Sequence, residues 1–566
     1  MTIQEIENMP DDQVIYLPIA VNHNLAIACS RIKPLLRLLF NHMATTSSKT
    51  SNMHAYQLAL MQEAEHAIAA TSARWQGSAT FGKQLQQLIN YTTLPIVAVP
   101  LGLHATLHDY QHQGLNWLQF LRANNFSGVL ADDMGLGKTI QTLANLQYEK
   151  QHGRLNQLSL IIAPTSLMNN WLIEAQRFTP ELRVVVFHGF ERHILDFANY
   201  DIVLTTYGLL QRDKERLLLN NFYYLILDEA QYIKNYRTKT RQIVQQIQAK
   251  HRLCLTGTPL ENHLNELWSL FHFLMPGLLG PSKYFRTFFK IPIEKTNIID
   301  RKELLRRRIQ PFILRRTKNA VMQELPPKTE ILQMVELTGV QQDVYETIRL
   351  SMENKVRLAI SRHGVTKSRF IILDALLKLR QICCDPRLVR LPAAEIAYGQ
   401  SAKLETLMSL LDNLIAEGRC VLIFSQFTSM LSIIEEQLHV RKYKYLLLTG
   451  KTKARHRVIT QFQTGDVQIF LISLRAGGVG LNLTRAYTVI LYDPWWNPAV
   501  QDQAIARSHR FGQAQSVFVY KLITAGTVEE TILAMQQHKR TLIDDILSGE
   551  KLGQFNFTEA EILQFF

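Results

Sequence analysis

The sequence predicts an α/β protein built from two doubly wound parallel sheets, with inserted helical segments and a helical N-terminal region. Short apolar runs recur along the chain between polar turns, and most are nearly continuous in Val, Ile, Leu, Phe and Tyr. Strands that are buried on both faces of a parallel sheet have this composition. Stretches with helical spacing separate the runs, and such strand–helix alternation is typical of an open parallel sheet.

The apolar runs form two groups, at about residues 104–260 and 400–525, whereas residues 261–400 are rich in Leu, Arg, Lys and Gln at helical spacing. The runs in the first group are FSGVLAD, SLIIAPT, RVVVFHG, DIVLTTY, YYLILDEA and HRLCLTGTP, and those in the second are CVLIFSQF, YKYLLLTG, VQIFLISL, YTVILYDP and VFVYKLIT. Helices are expected between them, for example at 140–151 and 404–417.

These patterns divide the chain into five parts. The expected parts are an accessory N-terminal region (1–95) with helical patterns, a first lobe (96–327) with a helical protrusion from about residue 261, a helical linker or second protrusion (328–400), a second lobe (401–540) and a C-terminal tail (541–566). The accessory region contains no motif that indicates its function.

The chain is strongly basic. Lys and Arg number 62 against 48 Asp and Glu, which leaves a formal charge of +14 and a pI near 9.4. This excess favours a polyanionic partner, most simply nucleic acid, although a merely basic soluble protein has the same balance.

The cysteines and the N-terminus indicate the cellular compartment in which the protein is expected. None of the five cysteines forms a C-x-x-C pair, which disfavours a zinc ribbon, and apolar neighbours indicate buried thiols in a reducing compartment. The N-terminus has no apolar signal region, and no run of about 18 apolar residues is present. We therefore expect a soluble cytoplasmic protein.

The stretch ADDMGLGKT, residues 131–139, resembles a phosphate-binding loop but departs from the pattern G-x-x-x-x-G-K-[ST], because Asp132 replaces the first glycine. It lies between a strand-like and a helix-like stretch, where backbone N–H groups and a helix N-terminus could cradle phosphates. Lys138 would reach the β- and γ-phosphates, and the Thr139 hydroxyl would ligate Mg²⁺. The residues expected to contact the nucleotide here are Asp133, Met134, Gly135, Leu136, Gly137, Lys138 and Thr139.

Two carboxylates follow a later apolar run, LILDEAQ. Asp228 and Glu229 would emerge at the carboxyl end of a strand, where open α/β sheets bind ligands. Such a pair is often only a helix cap, but together with the upstream loop it indicates a catalytic site. Asp228 would hold Mg²⁺, and Glu229 would orient and deprotonate the attacking water.

A third group lies in QAIARSHRFGQ. Gln503, Arg507 and Arg510 are spaced i, i+4 and i+7, which predicts one face of a helix. The two arginines are either a surface ion-pair patch or arginine fingers, which stabilise charge during phosphoryl transfer.

From about residue 104 to 530 the motifs resemble, in order, those of the Swi/Snf-type ATPases of helicase superfamily two. The matching stretches are LHDYQHQGLNWL, ADDMGLGKT, LIIAPTSLMNNW, DEAQ, TGTPLEN, PFILRRTK with ELPPKTE, LIFSQFTSML, SLRAGGVGLNLT and DPWWNPAVQDQAIARSHRFGQ. The acidic pair before Met-Gly-Leu-Gly is usual in this family, so the resemblance explains Asp132. LRQICCDP differs from it, because the family more often has Asn-His before the proline. The spellings DDMGLGKT and DEAQ look bacterial.

The resemblance implies two RecA-like lobes that use ATP and Mg²⁺ to move along double-stranded DNA without separating its strands. It implies that Gln111 reads the adenine and that Gly480 also contacts the nucleotide. By the same resemblance, DNA phosphates would be contacted by Pro164, Thr165, Thr205, Thr206, Ser425, Gln426, Ser473, Gly477, Gly478 and Trp496. Trp496 could equally be a core aromatic residue. The arginines of LRRT are further candidates for DNA contact.

Three other functions remain open from the sequence. The chain could be a strand-separating DNA helicase or an RNA helicase of the same superfamily, or a non-catalytic relic that binds partners. It could also be the motor subunit of a larger bacterial complex, such as a defence system or a transcription-recycling factor, with a protein partner for targeting. The LRRT stretch and the helical insertion favour the duplex translocase.

Overall fold

The computed structural model describes residues 9–10, 12–20, 23–29, 94–189, 196–197, 199–236, 238–257, 264–294, 298–321, 327–389, 401–452, 455–465, 467–477, 481, 483–495, 497–510, 513 and 515–536. The chain divides into two compact units between Thr317 and Lys318, apart from loop residues 134–136, which group with the second. We call the residues up to Thr317 the first lobe and those from Lys318 the second lobe.

Two strands lie in the N-terminal region. β1 (Val14–Ala20) and β2 (His23–Ala28) pair antiparallel. Val14 and Tyr16 are exposed and Ile15 between them is buried, which is the period-two pattern of a half-buried strand. For these residues the prediction of a helix is wrong, whereas residues 30–93 of the same region lie outside the described part of the chain.

The first lobe contains a seven-stranded parallel sheet in the order β5-β6-β4-β7-β8-β3-β9. Its strands are β3 (Gly128–Leu130), β4 (Ser159–Ala163), β5 (Val184–Val186), β6 (Ile202–Thr206), β7 (Asn221–Asp228), β8 (Gln248–Leu255) and β9 (Ile313–Leu314). Each apolar run of the first group forms one of these strands, which confirms the predicted parallel sheet. The two-residue strand β9 was not predicted.

Helices alternate with the strands of this sheet along the chain, and several more lie between its last two strands. They are α1 (Asp109–Ala123), α2 (Lys138–Gln151), α3 (Met168–Phe178), α4 (Lys214–Leu218), α5 (Lys239–Gln246), α6 (Leu264–Leu274), α7 (Ser282–Phe285), α8 (Ile291–Glu294) and α9 (Ile299–Ile309). A π-helical turn (Arg286–Lys290) joins α7 to α8. Helices α6 to α9 lie between β8 and β9 in the chain, where the sequence predicts a helical insertion.

The second lobe contains a six-stranded parallel sheet in the order β10-β15-β14-β11-β13-β12. Its elements are α10 (Lys318–Val321), β10 (Lys328–Val335), α11 (Gly339–Lys367), α12 (Arg369–Cys384), α13 (Ala402–Ala416), β11 (Val421–Ser425), α14 (Thr428–Val440), β12 (Tyr445–Leu448), α15 (Arg455–Thr464), β13 (Ile469–Ser473), α16 (Leu474–Gly477), β14 (Thr488–Leu491), α17 (Pro498–Ile505) and β15 (Val517–Thr524). Strand β10 lies in the segment predicted to be a helical linker, so for these residues that prediction is wrong. Among the described residues it lies at the edge of the sheet beside β15, and much of its surface is exposed.

The cores of both lobes agree with the predicted burial. Strands β4, β6, β11 and β13 are buried along their whole length. All five cysteines are buried and free, as their apolar neighbours predict. Among the described residues, no helix is both long and apolar enough to cross a membrane.

Candidate nucleotide-binding and catalytic site

The register of the first sheet brings two predicted catalytic segments to the same edge. Leu130, the last residue of β3, and Asp228, the last residue of β7, both pair with Leu255 at the end of β8. Neighbouring strands lie about 4.8 Å apart, so the two strand ends are about 10 Å apart. The loop of residues 131–137 therefore begins level with Asp228.

The loop has the backbone geometry of an anion cradle. Gly135 and Gly137 have φ values of 95° and 76°, in the left-handed region that glycine adopts without steric cost. Gly137 caps the N-terminus of α2, whose first turn holds Lys138 and Thr139. The Lys138 ammonium donates hydrogen bonds to the carbonyl oxygens of Asp132 (2.7 Å) and Asp133 (3.3 Å). This places a cation and a helix N-terminus at the loop, the arrangement that binds phosphates.

Gln111 lies at the end of this loop. A Cβ atom added to Gly137 would lie 2.5 Å from the Gln111 Nε2, so the amide occupies the space that the glycine leaves open. The Gln111 Oε1 accepts a hydrogen bond from the backbone of His108 (3.1 Å), which orients the side chain. The structure therefore brings Gln111 to the predicted nucleotide loop, and its contact with adenine stays a prediction.

Asp132 is fully buried and forms an ion pair with Arg316. The Arg316 Nε donates to Asp132 Oδ1 at 2.9 Å, and a terminal guanidinium nitrogen donates to the other oxygen. The guanidinium also donates to the carbonyl of Tyr110 and to the Gln141 side chain. Arg316, one of the two LRRT arginines, thus pairs with Asp132 inside the first lobe, and its suggested contact with DNA stays a prediction.

Asp228 carries a buried carboxylate with a donor on each oxygen. The Trp171 indole donates to Oδ2 at 2.8 Å, and the Glu229 backbone donates to Oδ1 at 2.9 Å. Burial, reinforced by the neighbouring Glu229 charge, raises the pKa of Asp228 to about 7, against the opposing effects of Trp171 and Lys138. The negative charge at this position is therefore only partly compensated by the protein.

Glu229 adopts an unusual backbone conformation beside Asp228. Its φ of 50° and ψ of 56° lie in the left-handed region, which is uncommon for a residue other than glycine and often marks a functional position. The Gln231 amide donates to the Glu229 carboxylate (2.9 Å) and accepts from the Thr256 hydroxyl (3.0 Å). Thr256 follows β8, so a chain of side chains links the segment after β8 to the predicted catalytic base.

The second lobe corrects the predicted helix around the arginines. Helix α17 includes Gln503 but ends at Ile505, so Arg507 and Arg510 lie in the turn that follows rather than on one helix face. The Arg507 carbonyl accepts a hydrogen bond from Leu483 (3.1 Å), and the residue is 2% exposed. The role of the three residues as catalytic groups stays a prediction.

Burial separates the predicted DNA contacts into two sets. Thr165 is exposed and Gln426 is partly exposed, so both can meet a ligand. The side chains of the following residues are buried, and their predicted contacts with DNA stay predictions: Pro164, Thr205, Thr206, Ser425 and Ser473. The buried Ser425 hydroxyl donates to Asp493 (2.6 Å), which explains why it faces the core. Gly478, Gly480 and Trp496 lie outside the described residues. Gly477 is the last residue of α16, and its predicted contact stays a prediction.

Comparison with known protein families decides the class of this site. Residues 110–388 match the SNF2-related domain, and residues 402–512 match the helicase conserved C-terminal domain. The chain belongs to the Snf2-related family of helicase-like ATPases. This is the family that the order of the motifs predicts.

Snf2-related proteins from several organisms align with most of this chain. The putative ATP-dependent helicase/translocase YwqA of Bacillus subtilis is 40% identical over 483 residues, which cover 83% of this chain and 52% of the relative. The ISWI chromatin-remodeling complex ATPase ISW1 of Saccharomyces cerevisiae is 35% identical over 461 residues, covering 78% of this chain and 41% of that protein. The chain thus spans about half the length of these relatives.

A solved structure is also similar. The SWI2/SNF2 ATPase core of Sulfolobus solfataricus in complex with dsDNA is 38% identical and covers 80% of this chain and 96% of that one, with a TM-score of 0.42.

The site of this Snf2-related chain contains two residues that the sequence does not reveal. Trp171 reads as an ordinary apolar position of an amphipathic helix, and Arg316 as part of a basic cluster on a solvated face. Only the fold shows that the first donates to Asp228 and the second to Asp132. The one signal available is that Trp171 closes the stretch LIIAPTSLMNNW, which the family resemblance includes.

Proposed function

We propose that the chain is an ATP-dependent translocase and remodeller of double-stranded DNA, coupling hydrolysis of Mg-ATP to movement along the duplex in the cytoplasm. One observation carries the proposal. Lys138 and Thr139 begin the helix that follows β3, Asp228 and Glu229 lie at the end of β7, and the two strands end level with each other in one sheet. Membership of the Snf2-related family and the name of the Bacillus subtilis relative, a putative helicase/translocase, support it.

Different residues of the first lobe bind the nucleotide and activate the water. Backbone amides of the loop and the Lys138 ammonium hold the β- and γ-phosphates, and Gln111 holds the adenine at the loop's end. Glu229 orients the attacking water and accepts its proton as the oxygen forms a bond to the γ-phosphorus. The bond from the γ-phosphorus to the β,γ-bridging oxygen breaks, and the products are ADP and inorganic phosphate. Gln231, held by Thr256, keeps the Glu229 carboxylate in place.

The carboxylate of Asp228 and the hydroxyl of Thr139 fit a magnesium ion. Oxygen donors are the ligands that Mg²⁺ prefers, usually one or two from the protein together with phosphate oxygens. The raised pKa of Asp228 reflects a buried charge that the protein compensates only in part, which a divalent cation would balance. When bound, the ion would neutralise charge on the phosphates.

The proposed DNA grip depends on phosphates rather than bases. The chain carries a net charge of +14, and the exposed Thr165 and partly exposed Gln426 each follow the end of a sheet strand. Phosphate contacts position a protein on DNA without reading sequence, so binding should be independent of sequence and weaken steeply with salt. A protein partner for targeting belongs to the same proposal.

Steady-state ATPase rates test the proposal. The rate is measured with no nucleic acid and then with duplex DNA, single-stranded DNA and RNA, with Lys138→Ala as the blank. Strong stimulation by duplex DNA, absent from the variant, is the expected result, and displacement of a third strand from a DNA triplex then reports movement. Stimulation by single strands or RNA alone, with unwinding of a forked substrate, would favour a strand-separating helicase. No turnover under any condition would favour a relic or a motor subunit that lacks its complex.

A further inference from the structure

A buried indole lies against the proposed magnesium ligand. Trp171, on α3, is 1% exposed, and its Nε1 donates to Asp228 Oδ2 at 2.8 Å. The other carboxylate oxygen accepts the backbone N–H of Glu229 at 2.9 Å. With a directional donor on each oxygen, the plane of the carboxylate is set by the protein before any ligand arrives.

Other buried tryptophans of the described chain satisfy their indoles differently. Trp117 donates to the carbonyl oxygen of Pro311 at 3.1 Å, and Trp268 donates to the carbonyl oxygen of Gly280 at 2.9 Å. A backbone carbonyl is therefore enough to satisfy a buried indole in this fold. Trp171 instead uses its single donor on a carboxylate at the catalytic edge of the sheet, so packing alone does not account for the contact.

We infer that Trp171 is a positioning residue for Asp228, which it holds in the orientation from which Asp228 ligates the nucleotide-bound magnesium ion. The inference rests on the proposed Mg-ATP site and adds a residue that acts through Asp228 rather than on the substrate. Groups that hold a ligating carboxylate commonly contribute roughly 10-fold or more to metal affinity.

The hydrogen bond also ties Asp228 to a segment at the surface. Helix α3 continues directly from a single 3₁₀ turn, Thr165–Leu167, which contains the exposed Thr165. A ligand that displaces this turn would move α3, and with it the donor on Asp228. Loss of the donor should therefore weaken metal binding without DNA and also blunt any DNA-dependent gain in metal affinity.

The test compares Trp171→Phe with Trp117→Phe in the full chain. Each variant loses one buried indole donor, but only the first loses a contact with the site. Mn²⁺ affinity is measured by electron paramagnetic resonance with a non-hydrolysable ATP analogue bound, without and with duplex DNA. Trp171→Phe should raise the Mn²⁺ dissociation constant roughly 10-fold or more, while Trp117→Phe leaves it unchanged. The Mg²⁺ concentration for half-maximal ATPase should rise in parallel, with kcat at saturating Mg²⁺ affected less.

The outcomes separate this inference from the proposed function. If wild type binds Mn²⁺ in a nucleotide-dependent way and Trp171→Phe binds it equally well, the positioning role is wrong and the Mg-ATP site stands. If wild type shows no such binding, both are overturned. Should Trp171→Phe fail to fold, 3-benzothienylalanine at position 171 keeps the fused rings and lacks only the N–H, so unchanged affinity in that protein would also overturn the inference.

Discussion

Arg316 donates to both carboxylate oxygens of Asp132 across 184 positions of the sequence. Asp132 stands at the loop position where the general phosphate-binding pattern has its first glycine, and Arg316 follows β9 at the edge of the first sheet. The Arg316 carbonyl also accepts the Asp133 N–H at 3.0 Å. The ion pair thus joins the start of the nucleotide loop to the last strand of the lobe.

Removing one partner of this pair should destabilise the first lobe. Arg316→Met leaves the fully buried Asp132 carboxylate without its cation, a loss that costs about 3–5 kcal/mol in comparable buried pairs. Urea unfolding measures the change. The double variant Asp132→Asn with Arg316→Met should recover part of the loss because it removes the stranded charge. Arg307→Met, which breaks an exposed pair with Glu303, serves as the control and should change stability by less than about 1 kcal/mol. Equal losses in Arg316→Met and Arg307→Met would contradict the structural role of the ion pair.

Gly137→Ala should weaken nucleotide binding by more than backbone strain alone would. Gly137 has a positive φ and faces Gln111, whereas Gly153 has a similar φ of 65° with nothing within 4 Å of an added Cβ. A left-handed alanine costs roughly 1–2 kcal/mol in either place. Only Gly137→Ala should also displace Gln111, so fluorescent ATP should bind more weakly to it than to Gly153→Ala. Similar affinities in both variants would argue against the contact.

Lys138→Ala and Glu229→Gln should fail in different ways. The first removes the cation at the phosphates and should abolish binding of fluorescent ATP. The second keeps the size of the side chain and removes the base, so ATP should still bind while turnover falls by roughly 10²–10⁴-fold. Glu215→Gln, on the exposed surface of α4, is the matched control and should turn over normally. Normal turnover by Glu229→Gln would exclude its role as the base.

The second lobe should lose part of its stability in acid through Glu330. Burial alone would raise the pKa of Glu330, but hydrogen bonds from Lys328 and Lys521 outweigh it and lower the pKa to about 2. A group with a depressed pKa stabilises the fold above its ordinary pKa, near 4.5, and this contribution fades as the pH falls from there towards 2. Thermal unfolding should therefore show Glu330→Gln less stable than wild type at pH 6, with the difference shrinking at pH 3. A difference that stays constant or grows in acid would be inconsistent with this pKa.

Most of the parallel strands were predictable because they are short, continuous apolar runs, and β4, β6, β11 and β13 are buried along their whole length. Strand β9 was not predictable in this way because it is two residues long and is defined by its pairing with Val129 and Leu130. Strand β10 was not predicted because, among the described residues, it lies at the edge of the sheet and leaves Leu332 and Met334 exposed, so its sequence lacks the continuous apolar character of the inner strands.

The residues of the proposed catalytic edge were predictable where they belong to short sequence motifs. They were not predictable where they act through contacts between distant segments. Lys138 and Asp228 belong to short motifs whose spacing reflects phosphate and metal geometry. The contacts of Trp171 and Arg316 join distant segments, so no local pattern identifies them. The periodic spacing of Gln503, Arg507 and Arg510 predicts a longer helix than α17, which ends at Ile505. After that residue the backbone forms tertiary hydrogen bonds instead, such as that from the Leu483 N–H to the Arg507 carbonyl.

The pairing of β10 with β15 has a consequence for synthesis on the ribosome. Lys328 pairs with Val517 and Val335 with Thr524, so β10 emerges long before the strand that it joins. At roughly 5–20 residues per second, the nascent chain holds this strand without β15 for on the order of ten seconds or more. During that interval the backbone edge that later pairs with β15 is open to other nascent chains, and an unpaired strand edge of this kind is prone to aggregation.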